Sequence, residues 1–194
     1  MERRDALKYT ALFMGIGLSA SSISVMLAGC EVDTSDDWIP TFFTPDEAVF
    51  IRDMGETMLP RTHTPGAKDA KVERYLDTIR PLRYTPEENE KYKEQLSVFI
   101  EEANSFFGNS FVKAKPEFQL EWLTTIDKAA YAILQAEPEL PEDKRPFYLT
   151  LKEHILSAYF SSEVVAKEFF AFDPIPGRYE SCIPYTEIGK AWAL

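Results

Sequence analysis

Residues 85–108 read TPEENEKYKEQLSVFIEEANSFFG, and they decide the fold class. Thr85 with Glu88 three residues on is a capping box, and Pro86 falls at the first helical position, where a missing N–H does no harm. Tyr92, Leu96, Phe99, Ile100, Ala103 and Phe107 then recur three or four residues apart, one apolar stripe along a helix. Gly108 is the stop, because glycine tolerates the left-handed backbone that ends helices.

The same grammar repeats outward in both directions. Thr44-Pro45-Asp46-Glu47 opens an earlier helix with the stripe Ala48, Ile51, Met54 and Met58, halted by Pro60. A loop, Arg61 to Ala67, leads to a short amphipathic helix carrying Val72, Tyr75, Leu76 and Ile79, with Pro81 expected to close it. Downstream, Pro116 starts a helix bearing Trp122, Leu123, Ile126, Ala130, Ile133 and Leu134, broken by Pro138 and Pro141. A fifth, from about Pro146 to Tyr159, turns Phe147, Leu151, Ile155 and Tyr159 inward, and a sixth covers Glu163 to Phe169. No stretch alternates β-branched residues with period two. The expectation is an all-α domain, a compact irregular bundle of about six helices.

From Asp173 to Pro184 the pattern fails. Pro174, Pro176 and Pro184 with Gly177 exclude a helix there, so an extended Pro-rich C-terminal tail is expected over residues 172–194. The tail also carries Phe172, Ile175, Tyr179, Ile183, Tyr185 and Trp192. Apolar tails seldom stay in solvent, so this one either wraps its own helices or docks on a partner. Arg, Tyr and Trp dominate interface energetics, which singles out Arg178, Tyr179 and Trp192, with Pro174, Pro176 and Cys182 beside them.

The N-terminus has its own layout. Arg3 and Arg4 are adjacent, Leu7 and Lys8 follow, and a moderately apolar run ends at Leu27-Ala28-Gly29-Cys30. A basic start, an apolar middle and small residues before a break describe an export signal, and the paired arginines match the twin-arginine address, a route for proteins already folded. Leu27-Ala28-Gly29 before Cys30 matches a lipobox, so residues 1–29 are read as a twin-arginine lipoprotein signal and Cys30 as the lipidated first residue of the mature chain. The competing reading is a membrane anchor, since Tyr9 to Gly29 as helix spans roughly 31 Å. Thr10, Ser19, Ser21, Ser22 and Ser24 dilute it. Residues 30–43 form a linker, and 44–171 the helical domain. Gly15, Gly17 and Ala20 imitate a dinucleotide fingerprint inside the signal, with no strand before them.

Removing residues 1–29 takes away Arg3, Arg4 and Lys8 against Glu2 and Asp5, moving the formal charge from −11 to −12 over 165 residues. An acidic surface excludes nucleic acid and anionic lipid as electrostatic partners, leaving the membrane link to Cys30. Lipidation leaves Cys182 as a lone thiol in an oxidising compartment. It is either at a contact with another chain, where a disulfide can form, or a small buried hydrophobe.

A catalytic constellation is missing. His63 lies in a Thr/Pro/Gly loop without a second His or Cys nearby, and His154 reads as a helix-surface histidine. No C-x-x-C-H is present for haem attachment. Gly55, Gly66, Gly108, Gly177 and Gly189 are spaced for neither a Rossmann fingerprint nor a phosphate loop, so no cofactor is expected in this chain. Glu87-Glu88 and Glu101-Glu102 sit at a helix start or a solvent face.

Two segments carry more than composition. One is Met58-Leu-Pro-Arg-Thr-His-Thr-Pro-Gly-Ala67 followed by Asp69-Ala70 and Val72. The other is Tyr159-Phe-Ser-Ser-Glu163 followed by Phe172-Asp-Pro-Ile-Pro-Gly-Arg-Tyr179. With the paired arginines, they make the chain resemble subunit 3 of gluconate 2-dehydrogenase, the small gamma-type subunit of membrane-associated flavin dehydrogenases. His63 stands where the family pattern has an acidic residue. The resemblance implies a non-catalytic subunit on the periplasmic face. Its partner is a large FAD-dependent dehydrogenase of the glucose-methanol-choline type acting on a sugar, polyol or sugar acid. The small subunit supplies the signal read by the twin-arginine translocase, and a cytochrome c is a candidate electron acceptor in the complex. A free-standing lipoprotein binding module is the alternative.

Overall fold

A computed structural model describes residues 38–173, 175, 177 and 182–193. Among the described residues seven helices follow one another: α1 Pro45–Met58, α2 Val72–Arg83, α3 Pro86–Phe107, α4 Pro116–Ala136, α5 Phe147–Phe160, α6 Glu163–Glu168 and α7 Tyr185–Ile188. Short 3-10 turns, Phe111–Lys113 and Glu142–Lys144, precede α4 and α5. The architecture is all-α. The export segment with Arg3, Arg4, Leu7, Lys8 and Cys30 lies outside the described residues.

Both capping boxes form. The Thr44 N–H donates to Glu47 Oε2 at 2.7 Å and the Thr85 N–H to Glu88 Oε2 at 2.8 Å, while each threonine hydroxyl accepts from the N–H three residues on. These bonds satisfy donors that a helix start leaves without an intrahelical partner. Gly108 ends α3 with φ of 61°, the left-handed conformation expected of it.

α1 is the hub, packing on α2, α3 and α4, while α5 closes the other side against α2, α3 and α4. Their shared core is aromatic. Phe50 meets Phe111 at 5.1 Å and Phe99 at 6.0 Å between ring centroids, and Trp122 lies 5.6 Å from Phe99 and 5.5 Å from Phe111. Ile51, Met54, Leu96, Leu151 and Ile155 fill the space between the helices. Each such side chain contributes about 1.5–3 kcal/mol by leaving water. The turn that brings Phe111 inward is held at both ends, its N–H donating to Asn104 Oδ1 and its carbonyl accepting from Gln119 Nε2 at 2.7 Å.

Three expectations are corrected. Pro81 does not close α2, which continues to Arg83. Proline forfeits a single bond, the one its N–H would give the Asp77 carbonyl four residues back, and Pro81 itself faces solvent. Tyr75 and Ile133, expected inward, are exposed. The tail is not extended throughout, because Tyr185–Ile188 make one helical turn stopped by Gly189 at φ of 68°.

Candidate functional site

The loop after α1 is tied by carboxylates. Leu59 N–H caps the helix onto the Gly55 carbonyl at 2.8 Å, and the Leu59 carbonyl accepts from Ala67 N–H at 2.9 Å. Glu56 accepts from the N–H groups of Arg61 (3.1 Å) and Lys68 (2.9 Å). Asp69 accepts from Gly66 N–H at 2.8 Å and pairs with Arg61 Nε at 3.0 Å. Gly66 is required here, since a Cβ would lie 2.7 Å from both Glu56 carboxylate oxygens and 2.8 Å from the Arg61 nitrogen. The buried Tyr159 hydroxyl donates to the Pro65 carbonyl at 2.7 Å. That bond joins the two sequence segments on which the family resemblance rests. His63 sits exposed at the loop, and among the described residues no group of three His, Cys, Asp or Glu could hold a metal ion.

A further carboxylate, Asp77, is buried and faces the segment before α1. It accepts from the N–H groups of Thr41, Phe42 and Phe43 and from the Thr41 hydroxyl, all at 2.8–2.9 Å. Burial raises its pKa, but those hydrogen bonds outweigh burial and hold it below the ordinary carboxylate value.

The C-terminal end is different in kind. Ser162 caps α6, and beyond it Phe160, Phe169 and Phe170 cluster with centroids 5.0–6.2 Å apart. The tail turns back. Ala171 N–H donates to the Ala191 carbonyl and Ala193 N–H to the Ala171 carbonyl, a parallel bridge between Ala171 and Trp192. Lys190 Nζ reaches the Glu168 carbonyl at 3.0 Å. These bonds close the tail on itself without covering its apolar groups. Phe172 (48%), Ile175 (83%), Tyr185 (70%) and Trp192 (49%) remain exposed, with Phe160 and Phe169 beside them. Cys182 is exposed and free, which removes the buried-hydrophobe reading of its thiol. Of the other tail residues singled out, Pro174, Pro176, Arg178 and Tyr179 lie outside the described residues.

His154 is not a surface histidine. Its ring lies 5.9 Å from Tyr84 and 5.5 Å from Tyr92, and its Nε2 is 3.3 Å from the Tyr84 hydroxyl. The reason is Arg80, whose guanidinium is sandwiched 3.9 Å from the Tyr84 and Tyr92 ring centroids and draws those aromatics against α5. Burial first, then the Arg80 charge, push the imidazole down to about 4. A groove of about 590 Å³ opens over this cluster. The apolar-stripe reading of α2 missed Arg80 and Asp77 alike. Arg80 and Tyr84 sit four apart, the spacing at which a helical cation and ring meet, and that was the available signal.

Among the described residues no helix is long and apolar enough to cross a membrane. A family model described as gluconate 2-dehydrogenase subunit 3 matches residues 45–177, from the first residue of α1 past Phe172. No curated protein and no solved structure matches the chain.

Proposed function

The chain belongs to the gluconate 2-dehydrogenase subunit 3 family, and on that premise we propose that it is a non-catalytic subunit that escorts and anchors an FAD-dependent dehydrogenase. The partner is a glucose-methanol-choline-type flavoprotein acting on a sugar, polyol or sugar acid. In this reading Arg3, Arg4, Leu7 and Lys8 address the folded pair to the twin-arginine translocase, and a lipid on Cys30 holds it to the periplasmic face of a membrane. FAD belongs to the partner, not to this chain.

The observation that carries the proposal is the exposed aromatic surface built by Phe160, Phe169, Phe172, Tyr185 and Trp192. Exposed apolar groups occur on other helices too, Leu82, Phe106 and Phe118 among them, but those of the C-terminal segment are mostly aromatic, and aromatic anchors supply most of the energy at interaction surfaces. The backbone bridge at Ala171 supports the same reading, because a surface held in place loses less entropy when it docks. That bridge also favours a second reading, a free-standing lipoprotein module whose tail is complete in itself.

Co-purification from the native host separates the two. Mild-detergent extraction of the tagged chain is expected to bring down a yellow, FAD-containing protein, with no flavin absorbance in this chain alone. A monodisperse chain free of flavoprotein overturns the escort role and leaves the module. In parallel, Arg3→Lys with Arg4→Lys is expected to abolish accumulation outside the cytoplasm, since two ammonium groups do not reproduce paired guanidinium forks.

A further inference from the structure

The groove between the end of α2, α3 and α5 is built around charge. Its wall contains a buried cation without a carboxylate against it. Arg80, 3% exposed, donates through Nε to Asn89 Oδ1 at 3.1 Å and through an Nη to the Glu88 carbonyl at 3.5 Å, both neutral acceptors. Three carboxylates also line the groove, Glu88, Asp143 and Glu153, and none forms an ion pair with Arg80. Glu88 is bonded to the Thr85 N–H and acts on the guanidinium only through its field, and Glu153 is paired with Arg145 at 3.1 Å. A charge removed from water without a counter-charge is costly, and an anion beside it relieves the cost.

Two further groups in the same wall have no partner. The Tyr92 hydroxyl and His154 Nδ1 are buried and make no hydrogen bond, and Tyr92 is only 3% exposed. If Nε2 accepts from the Tyr84 hydroxyl, Nδ1 carries the proton, so the wall offers a guanidinium, a phenol and an imidazole N–H, all donors. At the rim stand Lys91, Gln95 and Thr150. Three donors, one of them a cation, suit a carboxylate, which only accepts. The volume, about 590 Å³, is far larger than an inorganic ion needs and matches small-molecule sites.

We propose that this groove binds a small organic carboxylate, its carboxyl group directed at Arg80, Tyr92 and His154 and its organic body between Lys91, Gln95 and Thr150. Tyr84 is the movable wall. It is the residue that ends α2, in extended conformation (φ −114°, ψ 151°), and its ring is held by the Arg80 face, the His154 contact and a looser approach of Arg83 at 5.9 Å. A swing of that ring uncovers the donors. The site needs no flavoprotein and is independent of the escort role.

The test uses the full chain in mild detergent, titrated with benzoate, succinate and inorganic phosphate at matched ionic strength, following the imidazole C–H resonances of His154 by NMR. Benzoate or succinate is expected to shift them saturably, with a Kd of about 1 mM or below, and chloride is not. Tyr92→Phe keeps the ring and removes the orphan hydroxyl. It is expected to raise thermal stability and to weaken binding about tenfold, whereas a purely structural tyrosine changes stability alone. Lys91→Ala at the exposed rim is expected to weaken binding about threefold. No saturable shift, unchanged affinity in Tyr92→Phe, or phosphate binding as tightly as the organic acids overturns the proposal.

Discussion

Between Met58 and Val72 the chain runs without an α-helix, and after Phe169 it does so again but for the single turn Tyr185–Ile188, yet the two stretches are held by opposite means. In the first, Glu56 and Asp69 take up loop N–H groups, Arg61 closes on Asp69, and Tyr159 fastens Pro65 from across the bundle. Asp77 does the same for Thr41, Phe42 and Phe43. In the second, a two-bond bridge and the Lys190 bond to the Glu168 carbonyl set the path, and the large aromatic groups stay in solvent. Two of these ties are buried, Tyr159 on Pro65 and Asp77 on the Phe43 N–H, and they cost much to break because an orphaned group there cannot return to water. Exposed rings cost little to remove from the free chain. The first stretch is therefore committed to the fold, and the second is available to something else.

The largest test of that contrast is Asp77→Ala. It strands three backbone N–H groups and a hydroxyl around a site only 2% exposed, and a loss of about 3 kcal/mol or more is expected in urea unfolding at unchanged m value. The same carboxylate gives the contrast a pH dependence. Its folded pKa is depressed, so its stabilisation is present above the unfolded value of about 3.9 and is lost as pH falls through the lower folded value. Wild type is expected to lose stability more steeply than Asp77→Ala below about pH 4. A loss under about 1 kcal/mol removes Asp77 from the argument.

Gly66→Ala comes next. Its Cβ meets the Glu56 carboxylate and a backbone nitrogen inside 3 Å, so the carboxylate must withdraw from Arg61 and Lys68. About 1–3 kcal/mol is expected, read as a lower melting temperature. The smallest effect belongs to Trp192→Ala. The bridge runs through backbone atoms, so the free chain is expected to change by less than about 0.5 kcal/mol while recovery of the flavoprotein falls. A melting point that drops as far as in Gly66→Ala assigns the indole to the fold and erases the contrast.

The sequence disclosed helices wherever apolar spacing met a cap. Thr44 with Glu47 and Thr85 with Glu88 placed two helix starts, and Pro116 and Gly108 placed a start and a stop. What it hid lies on α2. Glu73, Asp77 and Arg80 recur at helical spacing as an apolar stripe does, and charged residues in that register read as a solvated face. All three are buried, and for two of them the partners come from sequence positions that local spacing does not reveal: Thr41 to Phe43 for Asp77, and Asn89 and Tyr92 for Arg80. His154 was misread for the same reason. The tail residues were legible as chemistry but not as geometry, since prolines exclude a helix without saying where the chain goes next.

Four hydrogen bonds gathered on one carboxylate also have a mechanical meaning. Tension applied to the chain ahead of Thr41 meets Asp77 before it reaches the first turn of α1. Three consecutive N–H groups share the strain and must yield together, so the attachment resists as a unit instead of peeling residue by residue. The load passes into the middle of α2, between its contacts with α1 and α5, and the helix-start bond at Thr44 is shielded from it. A bundle pulled at this point is gripped by its interior rather than by its frayed end.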